Sequence, residues 1–369
     1  MKAVVLVGGE GTRLRPLTYD TPKPLLPIAN RAFLDRQLEW LAGHGIDEVV
    51  LSLGYLPDAF EAHFAAHPAP MRVRFAVEDD PLGTAGAIRF AAAGIDERVV
   101  VCNGDVLTTL DVSALVRFHE ARGAEATIAL TEVDDPSSFG VVPTGADGEV
   151  VAFVEKPTPG KAPTHWVNAG TYVLEPSVLD RIPPRLTVSV ERETFPRMLA
   201  ERGHLYAMQS DAYWIDIGAP EQYVRAHLEV LDGAMGAEPT ADARELLPGV
   251  WAQGHVELDP DAVVVAPAVL GHGVIVDAGA RIQASTLGDG VRVGPDARVI
   301  RSVLHRDAVI GRAVEITDSV IGAAAAVHDG AHVGARSIVG AQATVAAHAR
   351  LASVRVAADE HEHPAPQES

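Results

Sequence analysis

The N-terminal part of the chain alternates short apolar runs with amphipathic stretches. Lys2–Val7, Glu48–Leu53, Val73–Val77, Val99–Cys102 and Ala126–Thr131 are brief and rich in β-branched residues, as buried strands are. Between them, 32–42, 57–66, 85–93 and 112–122 carry apolar residues at helical spacing. Strand and helix alternate, which predicts an α/β, Rossmann-like domain with a mostly parallel sheet covered by helices. Val141–Pro143 and Val150–Val154, separated by Asp147-Gly148, read as a hairpin beside that sheet. Ser189 reads as the cap of a helix containing Glu191, Glu193 and Phe195, with a following glutamate closing a capping box. A last helix, Pro220–Leu231, ends before Gly233.

Further on, the period becomes six. Val264, Leu270, Val276 and Ile282 form one row, and Leu287, Val293 and Val299 the next. Leu304, Ile310 and Ile316 follow, then Ile321, Val327, Val333, Val339, Val345 and Leu351. Steps of six with three apolar corners per coil fit a triangular prism, one inward side chain per face. The pattern resembles the hexapeptide repeats of left-handed parallel β-helices. It divides the chain into an α/β domain at 1–231, a Gly-, Ala-, Pro- and acid-rich linker at 232–249, a β-helix at 250–353 and a segment expected to be a disordered tail at 354–369. Ala323-Ala324-Ala325-Ala326 and Val345-Ala346-Ala347 are expected on flat outer faces suited to homo-oligomer formation.

Charge narrows the function. The net charge of −20 disfavours nucleic acid as a partner, because that binding rests on neutralising phosphates. A small polyanion remains compatible, since a cleft can hold local positive charge on an acidic protein. No apolar run reaches membrane-helix length, so no membrane role is expected. The single cysteine, Cys102, excludes an intrachain disulfide, and a cytoplasmic location is expected.

Basic residues beside glycines are therefore informative. Gly8-Gly9-Glu10-Gly11-Thr12-Arg13-Leu14-Arg15-Pro16-Leu17-Thr18 follows the first strand, and Pro22-Lys23-Pro24-Leu25-Leu26-Pro27 follows it. Gly8, Gly9 and Gly11, with Thr12, let backbone N–H groups close on a phosphate or base, and Arg13 and Lys23 add cations. The spacing is neither a P-loop nor a dinucleotide fingerprint. Asp105 follows an apolar strand, at the end where open α/β sheets bind ligands. Asp216 lies between Trp214 and Gly218. Either carboxylate could be a turn or helix-end residue, or a ligand for Mg²⁺. Gly83 and Thr84 begin a helix whose first N–H groups are expected to be free for a ligand.

These stretches, with Pro81-Leu82-Gly83-Thr84-Ala85-Gly86, Asn103-Gly104-Asp105, Phe139-Gly140, Glu155-Lys156-Pro157, Asn168-Ala169-Gly170 and Trp214-Ile215-Asp216-Ile217-Gly218, resemble the sugar-1-phosphate nucleotidyltransferases. The resemblance is nearest to the mannose-1-phosphate guanylyltransferases that carry a left-handed β-helix. It implies transfer of a nucleotidyl group from a nucleoside triphosphate to a sugar 1-phosphate, with Mg²⁺ on Asp105 and Asp216. It further implies Arg13 on the triphosphate, Lys23 near the α-phosphate and Lys156 on the attacking phosphate. Glu155, Asn168, Gly170 and Gly140 would meet the sugar, and Glu78 the base. An acceptor-only carboxylate at Glu78 suits the two adjacent donors of guanine, which favours GTP and mannose 1-phosphate giving GDP-mannose.

Three other readings stay open on sequence. One is UTP or dTTP with glucose 1-phosphate or a phosphorylated cyclitol. Another is a non-catalytic sugar-nucleotide sensor. The third is an acyltransferase activity of the β-helix, for which His255, His272, His305, His328, His332 and His348 are available.

Overall fold

The computed structural model describes residues 1–236, 239–240, 242–334 and 336–358. They form two compact units. The first comprises Met1–Glu10 and Leu34–Asp216; the second comprises Gly11–Phe33 and Ile217–Ser369.

The first unit is built on a mixed nine-stranded sheet. Lys2–Leu6 lies between Glu48–Leu53 and Val99–Asn103, parallel to both, and Arg72–Val77 extends the parallel set at the edge. Ala3, Val4 and Val5 and the whole of Val99–Cys102 are buried, the continuous apolar run of a strand covered on both faces. Helices Phe33–Gly43, Pro57–Ala66, Gly83–Ala91 and Val112–Arg122 fall where the periodicity predicts them, within two residues. Asp111 caps the last of these by accepting the Ala114 N–H at 2.8 Å, a bond that lowers the carboxyl's pKa, and Gly123 ends the helix at φ 56°.

Two strands escape the sequence pattern. Trp166–Leu174 runs antiparallel between Val99–Asn103 and Ala126–Glu132, and Leu205–Ser210 pairs parallel with Ala126–Glu132. The first contains Asn168-Ala169-Gly170, which reads as a turn. Its register shifts between Asn168 and Tyr172, and Gly170 sits at φ +72° inside the strand. The expected hairpin is present, with Val154 opposite Val141 and Glu155 opposite Gly140. The helix capped by Ser189 begins with a π-helical turn, Val190–Thr194, so the closing carboxylate is Glu193, four residues on.

The second unit holds the β-helix. Leu270, Leu287, Leu304, Ile321, Val339 and Val356 stack in parallel register on one face. Val276, Val293, Ile310, Val327 and Val345 form the second row, and Ile282, Val299, Ile316, Val333 and Leu351 the third. All but Leu351 and Val356 in these rows are buried. Truncating one of the interior Leu or Ile residues to alanine would cost about 2–5 kcal/mol.

Four expectations need correction here. Helix Pro220–Leu231 groups with the β-helix, because its buried Tyr223 and His227 hydrogen-bond His305 and Thr286. Within 232–249, Ala243–Leu247 is a strand paired antiparallel with Val250–Gln253. The segment expected to be a tail from 354 contains the strand Arg355–Val356, paired with Ile338–Val339; its residues from 359 lie outside the described residues. In the Ala-rich stretches, Ala325 and Val345 point into the prism, leaving Ala324, Ala346 and Ala347 exposed. Val345 lies on the six-residue row, whereas Ala325 is a second buried position two residues before the row residue Val327.

Candidate active site

Strand register brings several of the predicted residues to one edge of the sheet. Leu6 is opposite both Ser52 and Asn103, and Leu53 is opposite Val77. Gly8, Glu78 and Asp105 each follow one of these strand ends, so all three emerge at the carboxyl edge, where open α/β sheets bind ligands. Thr171 is opposite Cys102, which places Gly170 at the same edge from the antiparallel strand.

The glycines there are demanded by close approach. A Cβ on Gly104 would lie 2.5 Å from the Leu6 carbonyl oxygen and from Val7 Cγ1. One on Gly170 would lie 2.7 Å from Asn103 Nδ2. Asn168 holds this bend: its Oδ1 accepts the Gly170 N–H at 2.9 Å and its Nδ2 donates to Tyr172 Oη at 2.8 Å. Tyr172 in turn donates to Glu191 Oε1 at 3.2 Å. Burial, with the nearby negative charge of Glu191 and Asp105, holds the Tyr172 phenol well above its usual pKa, so it stays a neutral donor.

Asp105 and Asp216 lie on neighbouring segments. Trp214–Asp216 pairs antiparallel with Val106–Thr108, and Asp216 is opposite Val106, the residue after Asp105. Trp214 fixes this ribbon, its indole N–H donating to the Ala169 carbonyl at 2.9 Å. Among the described residues, no three His, Cys, Asp or Glu side chains gather into a protein-only metal cage. Both carboxylates are half-buried, and a pair of this kind could hold a hard cation that takes its remaining ligands from phosphates and water.

Glu155 and Lys156 are exposed at the end of the hairpin strand. Lys156 has φ +47° and its N–H donates to the Phe139 carbonyl at 3.0 Å, so the backbone turns sharply at this cation. Glu155 lies 3.6 Å from Arg192, and a Cβ on Gly140 would crowd Glu155 Oε2 and Phe153. Arg192 is a neighbour that sequence reasoning missed; nothing in its spacing marks it.

Glu78 and Thr84 carry more structural duty than the sequence suggests. Ser52 Oγ donates to Glu78 Oε1 at 2.8 Å and the Leu82 N–H donates to Oε2 at 2.9 Å. Each oxygen keeps a second lone pair for a ligand. At the helix start the Ala85 and Gly86 N–H groups donate to the Val188 carbonyl at 2.9 and 3.4 Å, so these two of the first N–H groups are already engaged. Thr84 Oγ1 accepts the Val190 N–H at 2.8 Å and donates to Glu191 Oε2 at 2.9 Å. The segment at 188–191 thus covers the helix end.

In the second unit, Gly11 adopts φ +61° and starts the 3₁₀ turn Thr12–Leu14. Thr18 Oγ1 donates to the Gly11 carbonyl at 2.9 Å, and Leu14 is fully buried, which anchors the turn while Thr12 and Arg13 stay exposed. Lys23 is buried at 8% exposure in a second 3₁₀ turn, its Cβ against Gly11. A glycine-rich loop with one exposed and one buried cation can bind a polyphosphate.

This fold and these motifs define a nucleotidyltransferase. The Nucleotidyl transferase family profile matches residues 2–233, and a GMPPB C-terminal domain profile matches 247–334; the chain belongs to the nucleotidyl transferase family. It is 40% identical over 294 residues to the mannose-1-phosphate guanylyltransferase of Mycobacterium tuberculosis (strain ATCC 25618 / H37Rv), spanning 79% of this chain and 80% of that protein. It is 37% identical over 334 residues to mannose-1-phosphate guanylyltransferase 1 of Arabidopsis thaliana, spanning 87% and 90%. Among solved structures, HddC from Yersinia pseudotuberculosis, complexed with GMP-PN, aligns with TM-score 0.54 and 34% identity, covering 61% of this chain and 97% of that one.

Proposed function

We propose that this enzyme transfers the guanylyl group of GTP to mannose 1-phosphate, releasing pyrophosphate. The observation that carries the reading is the shared carboxyl edge bearing Gly8, Glu78, Asp105 and Gly170, in a chain similar over most of its length to mannose-1-phosphate guanylyltransferases. A phosphate oxygen of the sugar phosphate attacks the α-phosphorus. The new P–O bond forms as the bond to pyrophosphate breaks, and pyrophosphate leaves with the electron pair. The nucleophile is already an anion, so no general base is needed; positioning and charge neutralisation supply the catalysis.

Arg13, on its exposed turn, binds the triphosphate with Gly8, Gly9, Gly11 and Thr12, and the buried Lys23 lies near the α-phosphate. Lys156 binds the attacking phosphate. Glu155 accepts from sugar hydroxyls, while Asn168 and Gly170 shape the strand bend that receives the ring and Gly140 allows close approach. Glu78, pre-oriented by Ser52 and Leu82, accepts from guanine N1–H and the exocyclic amine. Gly83 and Thr84 act through the backbone they hold beside it. Asp105 and Asp216 suit Mg²⁺, which when bound would neutralise charge on the phosphates. The acidic surface and the lone buried thiol of Cys102 fit a cytoplasmic enzyme. Self-association through the β-helix is part of the same proposal; its exposed apolar side chains include Leu258, Val263 and Val309.

Mass spectrometry of a reaction with GTP and mannose 1-phosphate tests the transfer. GDP-mannose and pyrophosphate in equal amounts are expected; GMP without sugar nucleotide would overturn it.

A further inference from the structure

The segment Gly11–Phe33, which carries Arg13 and Lys23, has few regular backbone bonds of its own. Its one strand pair is Pro27–Ile28 with Arg31–Ala32, joined by Ala29-Asn30. Both linking residues have positive φ, 46° and 63°. A two-residue hairpin of this kind suits Asn-Gly, and alanine is disfavoured in the left-handed region. The turn must therefore be held from outside.

It is held at three points. Tyr223 Oη donates to the Pro27 carbonyl at 2.6 Å. The Ala29 N–H donates to His227 Nδ1 at 3.1 Å, and Thr286 Oγ1 reaches the same nitrogen at 3.1 Å. Asn30 Nδ2 donates to the Leu287 carbonyl at 2.7 Å. Pro16 adds an apolar contact, since a Cβ on Gly340 would lie 2.8 Å from its Cγ. Tyr223 and His227 belong to helix Pro220–Leu231; Thr286, Leu287 and Gly340 belong to the β-helix.

Hydrogen counting fixes the ring states. Tyr223 has one hydroxyl hydrogen, and it goes to the Pro27 carbonyl, a pure acceptor. His305 Nε2, 3.0 Å from the same oxygen, must then be the donor. His227 accepts from a backbone N–H on Nδ1, so its proton is on Nε2. The network is buried, so its bonds are made in a low-dielectric setting.

We infer that Tyr223 and His227, backed by the β-helix residues Thr286, Leu287 and His305, are positioning residues for the phosphate-binding segment, so that the β-helix contributes to nucleotide binding as well as to assembly. The path is short. Pro27 follows Leu26, whose N–H donates to the Lys23 carbonyl at 3.1 Å; Lys23 Cβ packs on Gly11, and Arg13 lies in the turn that Gly11 starts. The inference rests on the proposed assignment of Arg13 and Lys23 to the triphosphate.

The test uses the full-length chain with Tyr223→Phe, and Arg13→Ala and Val293→Ala alongside. Tyr223→Phe should raise KM for the nucleoside triphosphate about three- to tenfold, the worth of one buried hydrogen bond. KM for the sugar phosphate should stay unchanged, since Glu155, Lys156, Asn168 and Gly170 belong to the other unit. Hydrogen exchange should quicken in Gly11–Phe33 and not in Glu48–Leu53. Val293→Ala lies on a separate face of the β-helix and controls for general destabilisation; it should move neither KM. Arg13→Ala tests the underlying assignment. If it raises the nucleotide KM while Tyr223→Phe leaves it unmoved, the positioning role alone is overturned. If Arg13→Ala itself leaves that KM unmoved, the assignment of the segment to nucleotide is overturned, and the inference with it. Equal rises in both KM values for Tyr223→Phe would also overturn it.

Discussion

Tyr223 and Pro27 are 196 positions apart, yet the phenol donates to the proline carbonyl at 2.6 Å, with His305 completing the contact from the β-helix. Burial pushes the His305 imidazole from 6.5 down to about 4, so it is neutral in the folded protein. The unfolded chain takes up a proton below 6.5, and the folded one does so only near 4. The stability linked to this site is therefore complete above 6.5 and is lost as pH falls towards 4, on the order of 3 kcal/mol in all. Thermal unfolding followed across this range should show a falling Tm in the native protein and a flatter dependence in His305→Phe. Equal slopes would remove His305 from the acid response.

The same contacts set an expectation for truncation. Removing the chain from Pro248 onward deletes Thr286, Leu287 and His305, the β-helix residues that hold Gly11–Phe33 and support Tyr223 and His227. Sequence alone suggests that chemistry survives this cut at least partly, because Arg13, Lys23, Asp105, Lys156 and Asp216 all precede it. The contacts predict instead a strong loss of turnover even if the truncated chain folds, and the proposed assembly role separately predicts fewer subunits per particle by light scattering. A folded truncation with the oligomeric state of the full-length chain and full activity would contradict both roles.

Asp105→Asn and Asp216→Asn should each cut turnover about a hundredfold or more while leaving the far-ultraviolet dichroism unchanged. The amide keeps the shape and removes the charge that suits a divalent cation. Titrating Mg²⁺ in each variant separates weakened metal binding, which excess metal relieves, from a merely structural defect, which it does not.

Glu78→Gln should erode the preference for GTP over UTP. Ser52 Oγ and the Leu82 N–H both donate to the carboxylate, and an amide can accept from only one of them on its oxygen. The variant should also lose about 1 kcal/mol of stability. Unaltered ratios of kcat/KM for the two nucleotides would show that the base is read elsewhere.

The strands and helices of the sheet core were readable because a buried parallel strand is a continuous apolar run and a helix repeats near every third or fourth position. Trp166–Leu174 was not readable. Asn168, Ala169 and Gly170 interrupt it with turn-forming residues, and its left-handed glycine is stabilised by Asn168 and by fit against Asn103, which are contacts distant in sequence or invisible without geometry. The six-residue rows exposed the β-helix and include Val345, yet they do not include Ala325, whose burial two residues before Val327 needed the structure. Motifs located Arg13, Lys23, Asp105, Lys156 and Asp216 as candidates. They could not reveal that Thr84 is engaged by Val190 and Glu191, or that Tyr223 and His227 hold Gly11–Phe33. Those partners lie on segments whose local sequence carries no trace of the pairing.

The central proposal is the choice of both substrates. Pyrophosphate release measured across GTP, UTP, dTTP and ATP, each with mannose 1-phosphate and glucose 1-phosphate, tests it most directly. The account predicts the highest kcat/KM for GTP with mannose 1-phosphate. A preference of more than about tenfold for UTP or dTTP, a difference of roughly 1.4 kcal/mol in transition-state binding, would contradict it.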